Sequence, residues 1–215
     1  MSNKPTIGRR GLLGFAIPAL VLATSWHTAR ADIGADAGAP IQRLDAALLA
    51  AMKAGQGTAF SQRYTSLEPV IEQTFDLDAV LALSIGLTWA EIPSDQKDQL
   101  RAAFRRYTVA SYASNFDNYT GQRFQIAPAV RAVGNGDVVV SSEIIAADGT
   151  SHKLDYVMRD TASGWKAVDV LADGSISRVA VQRSDFRQLL SSGGTPALMA
   201  GLQRKVANLS GGMLA

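Results

Sequence analysis

The chain has 215 residues, enough for one domain with a substantial core. It contains no cysteine, which excludes disulfides and thiolate chemistry. Its formal charge is +2, but Lys4, Arg9, Arg10 and Arg30 all fall in the first 31 residues, which hold no acid. Beyond residue 31 the balance is 17 basic against 19 acidic side chains, a net −2, so nothing argues for nucleic acid or a strongly anionic surface as partner.

The first 31 residues read as a cleaved export signal. Lys4, Arg9 and Arg10 form a positive n-region, Gly11 to Ala23 an apolar stretch, and Ala29-Arg30-Ala31 a small-x-small cleavage site. The apolar stretch is well short of the ~20 residues that span a bilayer. The run Arg9-Arg10-Gly11-Leu12-Leu13 resembles a twin-arginine signal. Paired basic residues also occur in Sec signals, so both routes stay open. No cysteine follows the apolar stretch to carry a lipid anchor. The expected organisation is a signal over 1–31, a flexible Gly/Ala-rich leader over 32–39 and a single domain over 40–215.

The first expected helix runs from Pro40 to Lys53, with Ile41, Leu44, Leu48 and Leu49 near one face and Gly55 and Gly57 ending it. A second runs from Ala59 to Gln73 with Phe60, Tyr64, Leu67, Val70 and Ile71 as its stripe. Asp76 caps a short helix through Leu83, and Gly86, Trp89 and Pro93 mark a turn. Ser94, as N-cap, and Asp95 start the strongest helix, which carries Leu100, Phe104 and Tyr107 and continues to about Asn118. Tyr112, Phe116 and Tyr119 open a second aromatic stripe there, and Gly121 stops it.

From Gln122 the period changes to two. Phe124, Ile126 and Val130 alternate with Arg123, Gln125 and Arg131, and Asn135-Gly136 signals a hairpin. The next strand, Asp137 to Ala147, puts Val138, Val140 and Ile144 on one face and Ser141 and Glu143 on the other. After the Asp148-Gly149 turn, Leu154, Tyr156 and Met158 alternate with Lys153, Asp155 and Arg159. A loop at Ser163-Gly164 precedes a fourth strand, Trp165 to Leu171, closed by Asp173-Gly174. The tail from Ser184 to Leu209 reads as two helices broken at Gly193-Gly194-Thr195-Pro196. The expected fold is α+β: a curved antiparallel four-stranded sheet packed against several helices and enclosing an apolar cavity.

Chemical motifs are sparse. There is no Gly-x-Ser-x-Gly, His-Glu-x-x-His, Walker loop or Gly-x-Gly-x-x-Gly. Beyond the signal, His152 is the only histidine, at a strand start where a surface role is the simpler reading. Asp76 and Asp78 are close, but helix capping accounts for them. Asp155 and Asp169 lie on neighbouring strands, where ion pairing of Asp155 with Lys153 and Arg159 explains more than a glycosidase carboxylate pair. The aromatics Trp89, Phe104, Tyr107, Phe116, Tyr119 and Trp165 suit core packing. No catalytic residue, cofactor or metal is therefore expected.

The order of Phe75-Asp76-Leu77, Trp89, the Gln96 to Phe104 helix and Tyr119-x-Gly121 resembles the MlaC family. So do Gly164-Trp165-Lys166-Ala167-Val168-Asp169-Val170, Asp173-Gly174 and Arg183-Ser184-Asp185-Phe186. The resemblance spans about Pro40 to Leu209. Residues Ser177 to Phe186 and Leu202 to Val206 are similar to the hopanoid-associated HpnM branch. The resemblance implies a periplasmic lipid carrier, of the toluene-tolerance type, serving an ABC-type phospholipid trafficking system. Its cargo would be a phospholipid or a hopanoid. Its partners would be an inner-membrane ABC/MCE-type complex and an outer-membrane complex. The expected cavity lining is Phe124, Ile126, Val138, Val140, Ile144, Leu154, Tyr156 and Met158 from the sheet, faced by Leu100, Phe104 and Tyr107. The alternatives are an exported hydrolase using His152, Asp155 or Asp169, and a non-catalytic adaptor with a filled core.

Overall fold

The computed structural model describes residues 25–214, with side chains from Asp36 onward. The basic and apolar parts of the expected export signal lie outside the described residues. Helix α1 (Ser25–Ala54) includes the segment 32–39 that composition reads as a flexible leader. Alanine is the best helix former, and Ala37 continues the buried row Ile41, Leu44 and Leu48 at helical spacing. Among the described residues no helix is long and apolar enough to cross a membrane.

Helix α2 (Phe60–Thr74) buries Phe60, Leu67 and Ile71. It also buries Arg63, which the apolar stripe does not reveal. The Arg63 guanidinium donates to the carbonyls of Ala113 (3.2 Å), Gly55 (3.2 Å) and Thr58, tying the turn before α2 to a helix later in the chain. Helix α3 (Leu77–Ile85) starts at Asp76, whose carboxylate accepts from the Ala79 N–H at 2.9 Å. Asp78 pairs with Arg101 at 3.4 Å. A 3₁₀ turn over Gly86–Glu91 leads to α4 (Ser94–Asn115). Pro93, rather than Ser94, occupies the N-cap position, and the helix ends three residues before Asn118.

The sheet has six strands rather than four: β1 (Arg123–Ile126), β2 (Arg131–Ala132), β3 (Val138–Ile145), β4 (Ser151–Thr161), β5 (Gly164–Ala172) and β6 (Ile176–Ser177). All pairings are antiparallel, in the order β1-β3-β4-β5-β6, with β2 also on β3. Two short strands account for the difference. Pro128, which has no N–H to give a ladder, separates β1 from β2 in what reads as one alternating run. The Asp173-Gly174 turn, with both residues at positive φ, returns the chain as β6. Asn135 and Gly136, also both at positive φ, turn the chain from β2 into β3. Between β4 and β5 the register slips at Val157/Met158, a bulge that leaves Val168 unpaired and adds curvature.

The tail is one element in outline, α5 (Arg178–Leu209), with non-helical backbone at Gly193 and Gly194. It starts at Arg178 instead of Ser184, because Ser177 caps it: its hydroxyl accepts from the Ala180 N–H at 2.9 Å. The two halves fold back on each other. Lys205 meets Asp185 at 3.1 Å, and a Cβ on Gly201 would stand 2.7 Å from Leu189 Cδ1. The core lies between the sheet and the helices, and joins Ile41, Leu44 and Leu48 to Leu100, Phe104, Met158 and Phe186. Arg63 makes a test of this architecture. Arg63→Ala takes the donor from the buried Ala113 carbonyl and unties the turn at Gly55 and Thr58, and chemical denaturation should show a loss on the order of 3 kcal/mol. A loss below about 1 kcal/mol would show the guanidinium to be dispensable.

Candidate functional site: an apolar cavity between helix α4 and the sheet

Helix α1 lies directly on β3 and β5, whereas α4 packs against α2, α3 and α5. That difference leaves a cavity of about 340 Å³ under α4. Its helical wall is a continuous stripe of α4: Phe104, Tyr107, Thr108, Ser111, Tyr112, Asn115 and Phe116. Spacings of three and four keep these on one face through three turns. The opposite wall is the inner face of β4 and β5, with Leu154 paired to Ala172 and Tyr156 paired to Val170. Phe75, Leu77 and Val80 close one side, and Arg178, Val179 and Gln182 from the first turns of α5 form the other. A hollow between α3 and α5 has more open volume, about 830 Å³, but its walls include the exposed Leu87 and it does not draw on the sheet.

The polar groups in the cavity wall are mostly occupied by the fold. The Thr108 and Ser111 hydroxyls donate back to the carbonyls of Phe104 and Tyr107, at 2.9 and 2.8 Å. Gln182 accepts from the Ser84 hydroxyl at 3.1 Å. Asp169 ties β5 to α5: it accepts from the Ser177 hydroxyl at 2.5 Å and from the N–H groups of Val170 and Val179, at 2.8 and 3.0 Å. A carboxylate at the start of α5 also suits the helix dipole. Arg178 is the one cationic side chain in the lining; it is exposed at the rim, and among the described residues it makes no ion pair.

Behind this wall lies a buried acid. Asp45 of α1 accepts from the Ser142 hydroxyl of β3 at 3.0 Å, while its other oxygen is buried without a partner. Burial pushes its carboxyl up to about 6, against the opposing effect of the Ser142 hydrogen bond. Burial also pushes the phenols of Tyr112 and Tyr156 well above the ordinary tyrosine range.

Four of the residues expected to line a cavity do so: Phe104, Tyr107, Leu154 and Tyr156. Leu100, Val138, Val140 and Met158 are buried in the packed core instead. Phe124 and Ile126 are half-buried against that core, and Phe124 stands 6.4 Å from Phe116, one layer outside the cavity. Ile144 is half-buried near the end of β3. The β3 residues point to the expected side of the sheet, but α1 covers that part of it. Strand alternation fixes the face a residue is on and says nothing of which helix lies over it. The continuing stripe Tyr112–Phe116 was the available signal for the rest of the α4 wall.

The three candidate catalytic residues do not form a site together. His152 is exposed at the start of β4. Asp155 is buried and engaged by the Ser141 hydroxyl at 2.7 Å, Lys153 at 3.4 Å and Arg131 at 3.6 Å. Arg159 pairs with Asp137 instead, at 2.8 Å. Asp169 is held at the start of α5. Among the described residues no cluster of His, Asp and Glu could hold a metal ion. The expected core aromatics divide. Phe104 is fully packed, whereas Trp89 lies under Lys97 and Arg101, and Tyr119 under Lys53. Trp165 is half-buried.

A helical layer on one face of an open antiparallel sheet, with an apolar chamber between them and a single cation at its rim, defines a ligand-binding domain. The chain belongs to the MlaC family: the family model described as "MlaC protein" matches residues 42–204. Among solved structures it is similar to the phospholipid-binding protein from Ralstonia solanacearum, determined in complex with a phospholipid. The TM-score is 0.70 at 24% identity, covering 81% of this chain and 99% of that one. That likeness shows the shared fold. A comparison with curated proteins finds no match.

Two expectations follow from the site's geometry. Ala172→Trp fills the chamber from its sheet wall and should abolish ligand loading while shifting Tm by less than about 4 °C. Val140→Trp overpacks closed core and should lose about 1–3 kcal/mol of stability. Thermal melts with ligand extraction check both, and a ligand-loaded Ala172→Trp protein would place the ligand elsewhere. The second concerns Asp45. Its folded value lies above its unfolded one, so its charge opposes folding above about pH 6 and that penalty vanishes below about pH 4. Asp45→Asn should therefore stabilise the protein at pH 7.5, by up to about 3 kcal/mol, and give no gain at pH 3.5. Equal effects at both pH values would count against a buried carboxylate.

Proposed function

We propose that the chain is a periplasmic lipid carrier that holds a phospholipid in the cavity under α4 and passes it between membrane complexes of an ABC-type transport system. The observation that carries this reading is the chamber itself, with apolar walls from α4 and the sheet and Arg178 at its rim. Membership of the MlaC family supports it, as does the phospholipid in the Ralstonia solanacearum protein of the same fold. The acyl chains lie between the α4 stripe and the β4–β5 wall, and the phosphate sits at Arg178. The expected signal over residues 1–31 supplies the route out of the cytoplasm.

Energetics suit a carrier. Each methylene buried from water contributes ~0.8 kcal/mol, so two acyl chains are worth tens of kcal/mol against water. Against a bilayer, where the chains are already dry, most of that gain cancels. The lipid is thus shielded in transit, and small differences at docking complexes decide loading and release. Such a cycle needs no nucleophile or metal, and Thr108, Ser111, Gln182 and Asp169 in the wall are engaged by the fold.

Native mass spectrometry of protein purified from membrane-containing cells tests the proposal. The expected result is one lipid per chain, with diacyl phospholipid as the extracted species. The resemblance of the tail to the HpnM branch makes a hopanoid the second species to seek in the same extract. Protein that is uniformly empty and cannot take lipid from vesicles overturns the carrier. For the phosphate contact, Arg178→Glu should weaken phospholipid binding about 5- to 10-fold, the effect of roughly 1 kcal/mol at an exposed charge. An unchanged affinity would remove Arg178 from the head-group site.

A further inference from the structure

Two phenols in the cavity wall are not explained by packing against acyl chains. Tyr112 projects from α4 and Tyr156 from β4, and the Phe75 ring lies between them, 5.8 Å from one and 6.4 Å from the other. Tyr156 is only 1% exposed. Other hydroxyls nearby are satisfied within the protein, as with Thr108, Ser111 and Ser142. Among the described residues neither Tyr112 nor Tyr156 has a hydrogen-bond partner for its hydroxyl. Both remain protonated, because burial and the nearby Asp45 carboxylate disfavour the phenolate.

A hydroxyl that faces the chamber without a partner in the protein must be met by water or by a ligand, and phenylalanine would fill the same space without that demand. Two such donors in one apolar wall therefore mark where a ligand presents acceptor oxygens. In a diacyl phospholipid the oxygens below the phosphate and head group are those of the two acyl esters. Arg178, Tyr112 and Tyr156 line the same chamber, so a phosphate held at Arg178 puts the glycerol esters beside the phenols. We propose that Tyr112 and Tyr156 donate hydrogen bonds to the ester carbonyls of the bound lipid, making the cavity selective for ester-linked over ether-linked phospholipid. This rests on the carrier reading above and names the chemistry that the same cavity recognises.

The experiment offers the delipidated full chain an equimolar mixture of dioleoyl phosphatidylglycerol and its di-O-oleyl ether analogue in vesicles. The two lipids share head group and chains and differ in the carbonyls. The loaded lipids are then extracted and quantified. The wild-type protein should enrich the ester lipid about five-fold or more, as a neutral hydrogen bond predicts. In the double variant Tyr112→Phe, Tyr156→Phe, ester loading should fall to the level of the ether lipid, and Tm should not drop, since no internal bond is lost. Equal loading of both lipids by the wild type overturns the ester contact while leaving the carrier standing. So does a preference that survives in the double variant. A markedly lower Tm in that variant overturns it as well, by showing that the protein itself, through Asp45, holds the hydroxyls. Loading of neither lipid overturns the carrier reading and the ester contact with it.

Discussion

Helix α4 rests on other helices and not on the sheet, and the rest of the site follows from that support. Phe104 meets Phe186 of α5 edge to face at 6.1 Å, and Leu100 is fully buried among helices. At the other end of α4, the buried Arg63 of α2 donates to the Ala113 carbonyl. Held at both ends, α4 bridges the β4–β5 face without collapsing onto it, and one face of its second half, from Phe104 to Asn115, looks into the gap. Interiors otherwise pack close to the density of organic crystals, so an apolar gap of this size persists only where its walls are fixed from behind. α1 shows the alternative: packed on α2 as well, it lies directly on β3 and β5, with Leu44 and Leu48 fully buried.

The second fixed wall is the junction of β5 and α5. Asp169 accepts three hydrogen bonds, from its own strand, from the helix cap and from the first turn of the helix. It anchors the turn that carries Arg178 and Val179, so the only cation in the lining is positioned by a carboxylate that does not pair with it. Farther along, Gly193 and Gly194 reverse the helix, and the absence of a side chain at Gly201 admits Leu189. The returning half of α5 then braces α4 from outside. Binding and fold are thus built from the same few contacts.

Much of this was legible in the sequence because it is local. The change of period at Gln122 marks the boundary between helices and strands, and Asn135-Gly136, Asp148-Gly149 and Asp173-Gly174 all sit at turns. Asp76 caps its helix as its position suggests. The start of α5 was obscured because its cap, Ser177, is also the last residue of a two-residue strand. The cavity was half legible. Periodicity put Phe104, Tyr107, Leu154 and Tyr156 on inward faces, where they belong. The same rule put Val138 and Val140 there too, and could not see that α1 covers them. Buried polar groups were invisible for a related reason: Arg63 and Asp45 look like solvent-facing helix residues until their partners, Ala113 and Ser142, arrive from distant segments.

The braced chamber is one design, in which the walls are fixed from behind and an apolar space stays open between them. The most direct measurement is a crystal structure of the lipid-loaded protein. The account predicts acyl-chain density running between Phe104 and Tyr107 on one side and Leu154 and Val170 on the other, with the phosphate near Arg178. Lipid density confined to another hollow, such as the one between α3 and α5, with the chamber under α4 filled by side chains, would contradict it.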